Sequence, residues 1–215
     1  MGIETIHVFD KYSYPTYCDT LRKQHSILEA IHQMHGYPPF WKRKNNFASL
    51  CKTILEQQVS LVSAQAVYTR LQQGTNMEIA ILKEMSVLDY RQFGITRQKA
   101  SYLQALAKTV YQTPSYFTQL KKCNDSDAKE KLISIKGIGL WTANVYMLTA
   151  LNRVNIYPDF DVALIHSIAH ETKASAPLNN EETKKYIGQF HPLRSIACCY
   201  FYHAYIQRKG ISFMP

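Results

Sequence analysis

Apolar residues recur at intervals of three and four positions along most of this chain. The clearest case lies between Phe47 and Leu55, where the apolar positions are Phe47, Leu50, Cys51, Ile54 and Leu55. That spacing places them on one face of a helix. No segment shows the sustained two-residue alternation that is typical of a half-buried strand, and there is no internal repeat. The pattern therefore predicts an all-α fold of about ten helices.

Capping residues and helix breakers divide this pattern into separate helices. Ser60, Thr96 and Asp161 each precede an apolar-periodic run and are predicted N-caps. A further cap is predicted at Asp125 or Ser126, and another at Asn180. The predicted helices span residues 16–34, 47–58, 61–72, 76–85, 88–93, 97–111, 116–121, 127–134, 140–151, 161–172, 181–190 and 192–208.

Two glycines one residue apart, Gly137 and Gly139, separate two of the predicted helices. Glycine lets the backbone bend sharply and leaves amide N–H groups uncovered. These amides lie at a helix N-terminus, where the helix dipole also favours negative charge. Such a turn can hold a phosphate through its backbone, and Lys136 adds a positive charge. Asp161 follows Gly139 by 22 residues and opens another apolar run.

The run I-K-G-I-G-L-W-T-A-N, with an aspartate twenty residues after its tryptophan, resembles a known family. It is the central motif of the helix-hairpin-helix DNA glycosylase superfamily. The chain is most similar to the branch of 3-methyladenine DNA glycosylase II, the alkylbase DNA glycosylases. The resemblance extends over about residues 25–210.

This resemblance implies one glycosylase domain over residues 1–215, with two helical lobes around a DNA-binding cleft. The middle lobe would take roughly residues 45–155, and the second lobe roughly 16–44 together with 156–212. Residues 1–16 are predicted to form an irregular arm. The alkylbase glycosylase most like this chain carries a β-rich domain ahead of the helices. Too few residues precede the helical part here for that domain, so we expect none.

Asp161 is the catalytic residue that the resemblance implies. Breaking the bond between a base and deoxyribose builds positive charge on the sugar, which a fixed carboxylate in a water-poor cleft stabilises. The carboxylate can also orient the attacking water. Without the resemblance, the default interpretation of Asp161 is a helix N-cap only, and Asp159 is a rival carboxylate two residues away. The family places its aspartate directly before the apolar helix, which favours Asp161.

The residue at position 141 distinguishes monofunctional from bifunctional members of the superfamily, and here it is Trp141. Bifunctional members of the superfamily carry a lysine at this position, whose amine attacks C1′ and leads to strand cleavage. Tryptophan has no such nucleophile, so the resemblance implies a monofunctional enzyme that leaves the abasic site uncut. An indole face attracts a cationic alkylated purine by about 0.5–2 kcal/mol.

Tyr202, on the last predicted helix, matches an aromatic residue of the family's base pocket. Val145 and Val162 stand where the family usually has tyrosine, so the pocket has fewer aromatic residues. Both Trp141 and Tyr202 would also suit a hydrophobic core.

Two further sites follow from the resemblance. Gln58 falls where the family places a side chain that wedges into the duplex as the damaged nucleotide leaves, and an ordinary surface glutamine is the alternative. Backbone carbonyls of the hairpin hold a structural monovalent cation, Na⁺ or K⁺, in the family. The corresponding residues here are Ile133, Ile135 and Ile138.

Three hypotheses for the function follow. The first is a monofunctional DNA glycosylase of base excision repair, which flips out N3- or N7-alkylated, cationic purines and hydrolyses their N-glycosidic bond. Such an enzyme would act as a monomer, and its partner would be double-stranded DNA that contains a damaged base. The second is a glycosylase for uracil, hypoxanthine or an oxidised purine, because the fold is shared. The third is a protein that binds DNA through its hairpin without catalysis.

Composition agrees with an acidic polymer as partner. The 215 residues include 25 Lys and Arg against 16 Asp and Glu, a formal net charge of +9. The basic run 41–44 and the pair Arg97 and Lys99 are interpreted either as DNA contacts or as solvated surface. No apolar run approaches the ~20 residues of a membrane span, and no signal peptide is recognisable. We therefore expect no membrane partner, and a location in the cytoplasm or nucleoid, or in the nucleus of a eukaryote.

The five cysteines are scattered, which predicts reduced thiols. Some members of the superfamily carry a four-cysteine iron–sulfur cluster near the C-terminus, but the adjacent pair Cys198 and Cys199 has no partners to make one. His166 and His170 are four residues apart without a visible third ligand. We expect no cofactor for catalysis.

Overall fold

A computed structural model describes residues 6–211 of the chain, and the predicted all-α class is confirmed there. Its thirteen helices are Tyr14–Gln24 (α1), Ser26–His35 (α2), Phe47–Leu55 (α3), Leu61–Thr75 (α4), Ile79–Leu82 (α5), Val87–Arg91 (α6), Arg97–Gln112 (α7), Tyr116–Lys122 (α8), Asp125–Ile133 (α9), Leu140–Thr149 (α10), Val162–Glu171 (α11), Asn180–Gly188 (α12) and Arg194–Lys209 (α13). An isolated antiparallel bridge joins Val8 to Arg153. Within the described range, no helix has both the length and the apolar character to cross a membrane.

The chain divides into two compact units. Of the described residues, Arg43–Tyr146 belong to the first unit, and His7–Lys42 together with residues 147–211 belong to the second. The predicted lobes placed one boundary near residue 155, whereas this division falls inside α10. Helix α10 therefore begins in the first unit and ends in the second.

The first unit is built around α7, which contacts α3, α5 and α6. Ala100, Leu103 and Leu106 of α7 are buried, at the helical spacing that the sequence shows. Helix α3 also packs on α4, and α8 packs on α9. The helix pair around the glycine turn, α9 and the start of α10, belongs to this unit.

The second unit is built around α13, which contacts α1, α2, α11 and α12. Residues 195–201 of α13 are all buried, so this helix is surrounded by its neighbours. The predicted irregular arm is described from residue 6, and its first five residues lie outside the described range. Phe9 of the arm is buried, stacks on Tyr14 and donates its N–H to the Asn152 carbonyl at 2.9 Å.

The single helix predicted for residues 16–34 is wrong, because the chain forms α1 and α2 with a break at His25. His25 is extended (φ −131°, ψ 106°), and its ring packs edge-on against Phe190 with centroids 4.6 Å apart. This tertiary contact competes with local helix propensity, and no glycine or proline marks the break.

Two predicted caps are displaced by one residue. Helix α9 is capped by Asn124, whose side chain accepts the Asp127 N–H at 2.8 Å, rather than by Asp125 or Ser126. Helix α12 is capped by Asn179 in a capping box with Glu182, rather than by Asn180. In each case several polar residues compete, and the backbone fixes which one lies outside the first turn. Ser60, Thr96 and Asp161 cap as predicted.

The five cysteines are free thiols, and four of them are buried: Cys18, Cys51, Cys198 and Cys199. Burial raises the pKa of Cys18 and of Cys199 to about 12. Burial also raises the pKa of Cys51 and of Cys198 well above the usual range. These thiols pack as small apolar groups.

Candidate functional site

The glycine turn between α9 and α10 is closed by two backbone hydrogen bonds. The Ile135 N–H donates to the Leu132 carbonyl at 3.2 Å, and the Ile138 N–H donates to the Ile135 carbonyl at 3.0 Å. Gly137 has φ +89°, and a Cβ added to it would lie 2.0 Å from the ring of Tyr102. Residue 137 must therefore be glycine for two separate reasons.

We expected both glycines to permit the sharp bend, but the backbone of Gly139 does not have a conformation that requires glycine. Its φ is not positive, and a Cβ added to it would meet nothing within 4 Å. The first helical bond of α10 runs from the Ala143 N–H to the Gly139 carbonyl (3.0 Å), so the N–H groups before Ala143 have no acceptor within the helix. The absent side chain at Gly139 leaves these amides open to an approaching anion. Lys136 is exposed beside them.

The carbonyls predicted to hold a cation differ in their existing partners. The Ile135 carbonyl accepts the Ile138 N–H, whereas those of Ile133 and Ile138 accept no hydrogen bond among those of residues 6–211. Open carbonyl oxygens in one turn suit a monovalent cation, which exchanges hydration water for such oxygens. The residues present therefore fit a Na⁺ or K⁺ ion.

Gln58 lies in the segment between α3 and α4, residues 56–60, which we name the wedge loop. Gln58 is exposed and has φ +55°, a conformation that residues other than glycine seldom adopt. The residues before it are anchored. Arg43 donates to both carboxylate oxygens of buried Glu56 at 2.8 and 2.7 Å. Gln57 donates its side-chain amide to the Gly137 carbonyl and the Thr142 hydroxyl, both at 2.8 Å.

Lys99 supplies a third anchor for the wedge loop. Its Nζ donates to the Leu55 carbonyl at 2.7 Å, at the C-terminus of α3 where the helix dipole favours a cation. Burial lowers the pKa of Lys99. This bond shows that Lys99 is more than solvated surface, and the predicted phosphate contact stays a prediction. Arg97 is exposed.

The wedge loop and the glycine turn line an open groove of about 700 Å³. It is lined by residues 57–59 of the wedge loop, residues 133–139 of the turn, and Thr96, Gln98, Lys99 and Tyr102 of α7 and its cap. Gln58, Lys136, Gly137, Gly139 and the three predicted carbonyl residues are thus brought together, as the family resemblance implies for DNA contact.

Replacing Gln57 with alanine is expected to lower the free energy of unfolding by about 1–3 kcal/mol, because it leaves two partly buried hydrogen-bond partners unsatisfied. In a chain of this size each kcal/mol shifts Tm by about 2–4 °C, so differential scanning calorimetry resolves the change. Gln58→Gly is the matched control, since it removes an exposed side chain and relaxes a left-handed backbone. An equal loss of Tm in both variants would contradict the anchoring role of Gln57.

In the second unit, Asp161 precedes α11 and is 7% exposed. Its Oδ1 accepts the Leu164 N–H at 2.9 Å, so the carboxylate is fixed at a helix N-terminus. The Tyr202 ring on α13 is partly exposed, while its hydroxyl is buried. Burial first, and then the nearby Asp161 carboxylate, raise the pKa of the Tyr202 phenol well above its usual value. The two predicted residues therefore lie close enough to interact electrostatically.

The segment that leads to Asp161 is held by Asn180 of α12. The Asn180 side-chain oxygen accepts the Phe160 N–H at 2.8 Å and the Tyr157 hydroxyl at 3.1 Å. Burial and the carboxylates of Asp159 and Asp161 raise the pKa of Tyr157. Asp159 is itself partly exposed, whereas Asp161 is buried.

The remaining predicted pocket residues lie on α10 and α11. Trp141 is in the first turn of α10 and half-buried, and Val145 is one turn further along the same helix, also half-buried. Val162, the first residue of α11, is 63% exposed. Trp141 belongs to the first unit, whereas Asp161 and Tyr202 belong to the second.

Comparison with known proteins decides the family. Residues 51–189 match the HhH-GPD superfamily of base excision DNA repair proteins. This chain belongs to the HhH-GPD superfamily.

Relatives and solved structures support the predicted branch of this superfamily. The chain is 29% identical over 151 residues to a DNA-3-methyladenine glycosylase of Bacillus subtilis, covering 64% of this chain and 48% of that protein. It therefore spans about half of that relative's length. The crystal structure of a DNA-3-methyladenine glycosidase from Bacillus halodurans matches with a TM-score of 0.72 at 27% identity, over 96% of this chain and 95% of that one.

A further similarity, to a solved structure of low sequence identity, concerns the fold alone. A 3-methyladenine DNA glycosylase of Schizosaccharomyces pombe, solved in complex with abasic DNA, matches with a TM-score of 0.81 at 18% identity. The match covers 93% of this chain and 100% of that one.

For several residues of the candidate site, the sequence alone gave no indication of their role. Arg43 stands in a basic run typical of a surface loop, yet it is buried against Glu56. Gln57 looks identical to Gln58 in sequence, and only the fold assigns one to anchoring and the other to exposure. Tyr102, which packs under Gly137, is an unremarkable helix residue. Among the described residues, no group of three or more His, Cys, Asp or Glu side chains could hold a metal ion.

Proposed function

We propose that this protein is a monofunctional DNA glycosylase that removes N3- or N7-alkylated, cationic purines from double-stranded DNA, acting as a monomer. The observation that carries the proposal is the buried Asp161 carboxylate, fixed at the N-terminus of α11 beside the Tyr202 hydroxyl. Membership of a base excision repair superfamily and relatives named DNA-3-methyladenine glycosylase support it.

The chemistry needs one carboxylate. As the C1′–N bond breaks, its electron pair moves to the base, which neutralises the positive charge of the alkylated purine. The developing charge on the deoxyribose is stabilised by the Asp161 carboxylate, whose position is already fixed by its helix cap. Water adds to C1′ and loses a proton, which Asp161 can accept. The products are a free base and an intact strand with an abasic site.

Trp141 supports the monofunctional part of the proposal, because an indole has no amine to form a Schiff base with C1′. The π face of Trp141 is proposed to recognise a cationic base, and the Tyr202 ring of the second unit is a separate aromatic surface for which the same role is proposed. Extrusion of that base costs a few kcal/mol, and exposed Gln58 is proposed to fill the gap in the stack.

The groove of the first unit is proposed to bind the DNA backbone. Amides at the start of α10 and the charge of Lys136 would contact a phosphate. The open carbonyls of Ile133 and Ile138, with that of Ile135, would hold Na⁺ or K⁺, which supplies positive charge next to the phosphate. This ion is structural, and none of the proposed steps at C1′ requires a cofactor.

The test uses duplexes that contain 7-methylguanine, 3-methyladenine, uracil, hypoxanthine or 8-oxoguanine. Free base is expected from the first two, measured by chromatography, with strand breaks only after alkali. Borohydride should trap no protein–DNA adduct. A trapped adduct would contradict the monofunctional assignment, and preferential release of a neutral base would replace the alkylated-purine substrate with another lesion.

A further inference from the structure

Phe160, immediately before Asp161, combines two unfavourable features. Its side chain is 63% exposed, and its backbone has φ +60°. A bulky residue in the left-handed region is an outlier, and the sites where such strain persists are commonly functional. An asparagine or glycine would fit this backbone better, and a polar side chain would fit this exposure better.

The segment around Phe160 is held in place, so the exposure of the ring is a property of a fixed loop. The Phe160 N–H donates to the Asn180 side-chain oxygen at 2.8 Å, and that oxygen also accepts the Tyr157 hydroxyl. Pro158 restricts the backbone between these two bonds. The chain thus holds an aromatic ring in solvent at one defined position.

That position is next to the proposed reaction centre. Asp161 is buried, whereas the residues on either side of it, Phe160 and Val162, are each 63% exposed. Asp161 and the Tyr202 hydroxyl are buried within the second unit, whereas the Phe160 ring of the same unit is exposed on its surface. A nucleotide that reaches Asp161 would approach from the surface on which Phe160 and Val162 are exposed, so its neighbours in the strand would pass close to Phe160.

We propose that Phe160 is a DNA-contacting residue, whose ring stacks on the nucleotide that flanks the extruded one. The proposal rests on the DNA-binding part of the proposed function. Every nucleobase offers a π face, and stacking on an aromatic side chain holds a strand without reading its sequence. Contact with a base would cover the exposed apolar ring, which accounts for a phenylalanine in a conformation that disfavours it.

The experiment measures affinity by fluorescence anisotropy for a duplex that carries a tetrahydrofuran abasic analogue, which has no base to extrude. Phe160→Gly is expected to weaken binding about tenfold or more, while Tm stays constant or rises because the left-handed backbone is relaxed. Phe160→Tyr should bind like the parent chain, and Phe160→Leu should lie between the two, since it keeps apolar area but has no π face.

Two control variants distinguish the effect of the Phe160 ring from the effects of relaxing a left-handed backbone and of removing exposed apolar surface. Asn76→Gly relaxes another left-handed residue (φ +50°), and Met34→Ala shortens another exposed apolar side chain (74% exposed). Neither is expected to change DNA affinity. A Phe160→Gly variant that binds the abasic duplex within about twofold of the parent would overturn the proposal. So would an affinity loss that simply follows a lower Tm.

The outcomes also separate this proposal from the proposed function. If Phe160→Gly binds the abasic duplex normally but releases alkylated base slowly, the ring contacts the extruded base, and the flanking-nucleotide assignment is wrong. If the parent chain releases no base from any lesion yet its DNA binding depends on Phe160, the proposal stands and the glycosylase assignment falls.

Discussion

Replacing Asp161 with asparagine is expected to lower the rate of base release by about 100-fold or more, which corresponds to about 3 kcal/mol of lost transition-state stabilisation. The same change should leave the fold intact. Asparagine caps helices as well as aspartate does, and the Oδ1 that accepts the Leu164 N–H has an equivalent in the amide oxygen. Single-turnover kinetics on a 7-methylguanine duplex, with thermal unfolding in parallel, measure both quantities.

The two roles of Asp161 can be separated by its controls. Asp161→Ala should lose base release and also about 1 kcal/mol of stability, because the cap is removed. Asp159→Asn changes the rival carboxylate, which is partly exposed, and should retain most of the activity. Binding to an abasic duplex should persist in Asp161→Asn, since removing a negative charge does not oppose DNA. If Asp161→Asn keeps more than about a tenth of the parent rate, the carboxylate is not the centre that stabilises the sugar cation.

Replacing Gly137 with alanine is expected to destabilise the first unit by about 2–5 kcal/mol. A left-handed conformation costs alanine about 1–2 kcal/mol, and the added Cβ would lie 2.0 Å from the Tyr102 ring, an overpacking that costs about 1–3 kcal/mol more. Calorimetry should show a Tm lower by roughly 5–15 °C. Binding to duplex DNA should fall as well, because the turn that presents the amides is displaced.

Gly139 provides the control within the same turn. Its φ is not positive and its added Cβ meets nothing within 4 Å, so Gly139→Ala should unfold near the parent Tm. Any loss of DNA affinity in that variant would then report obstruction of the amides rather than unfolding. The double variant Gly137→Ala with Tyr102→Ala should recover the part of the loss that is due to the clash. Equal destabilisation at both glycines would contradict this interpretation of the turn.

Local patterns in the sequence were sufficient for most of the fold. The 3.6-residue periodicity of α3 and α7, and the caps Ser60, Thr96 and Asp161, depend on neighbours in the chain and were predicted from it. The break at His25 depends on packing against Phe190, which is 165 positions away and has no local signal. Adjacent polar residues at Asn124 and Asn179 left the caps uncertain by one position, because each neighbour can also cap.

The residues of the candidate site likewise fall into two groups, those that the sequence predicts and those that only the structure shows. Asp161, Trp141 and the glycine turn carry a spacing that the family resemblance recognises, so they could be named from the sequence. The anchors of the wedge loop could not, because the contacts of Arg43 with Glu56 and of Gln57 with Gly137 join distant positions. Phe160 was also missed. Only the backbone conformation and exposure show that its ring is held outside the core.

The buried cysteines bear on how such a protein would endure the conditions in which it is proposed to work. Methylating agents that damage purines also attack thiolates. A thiol must ionise before it becomes a strong nucleophile. Burial raises the pKa values of Cys18 and Cys199 to about 12, and it also raises those of Cys51 and Cys198 well above the usual range. Shielded and protonated, these four sulfurs should survive doses of alkylating chemical that would poison an enzyme with accessible thiolates.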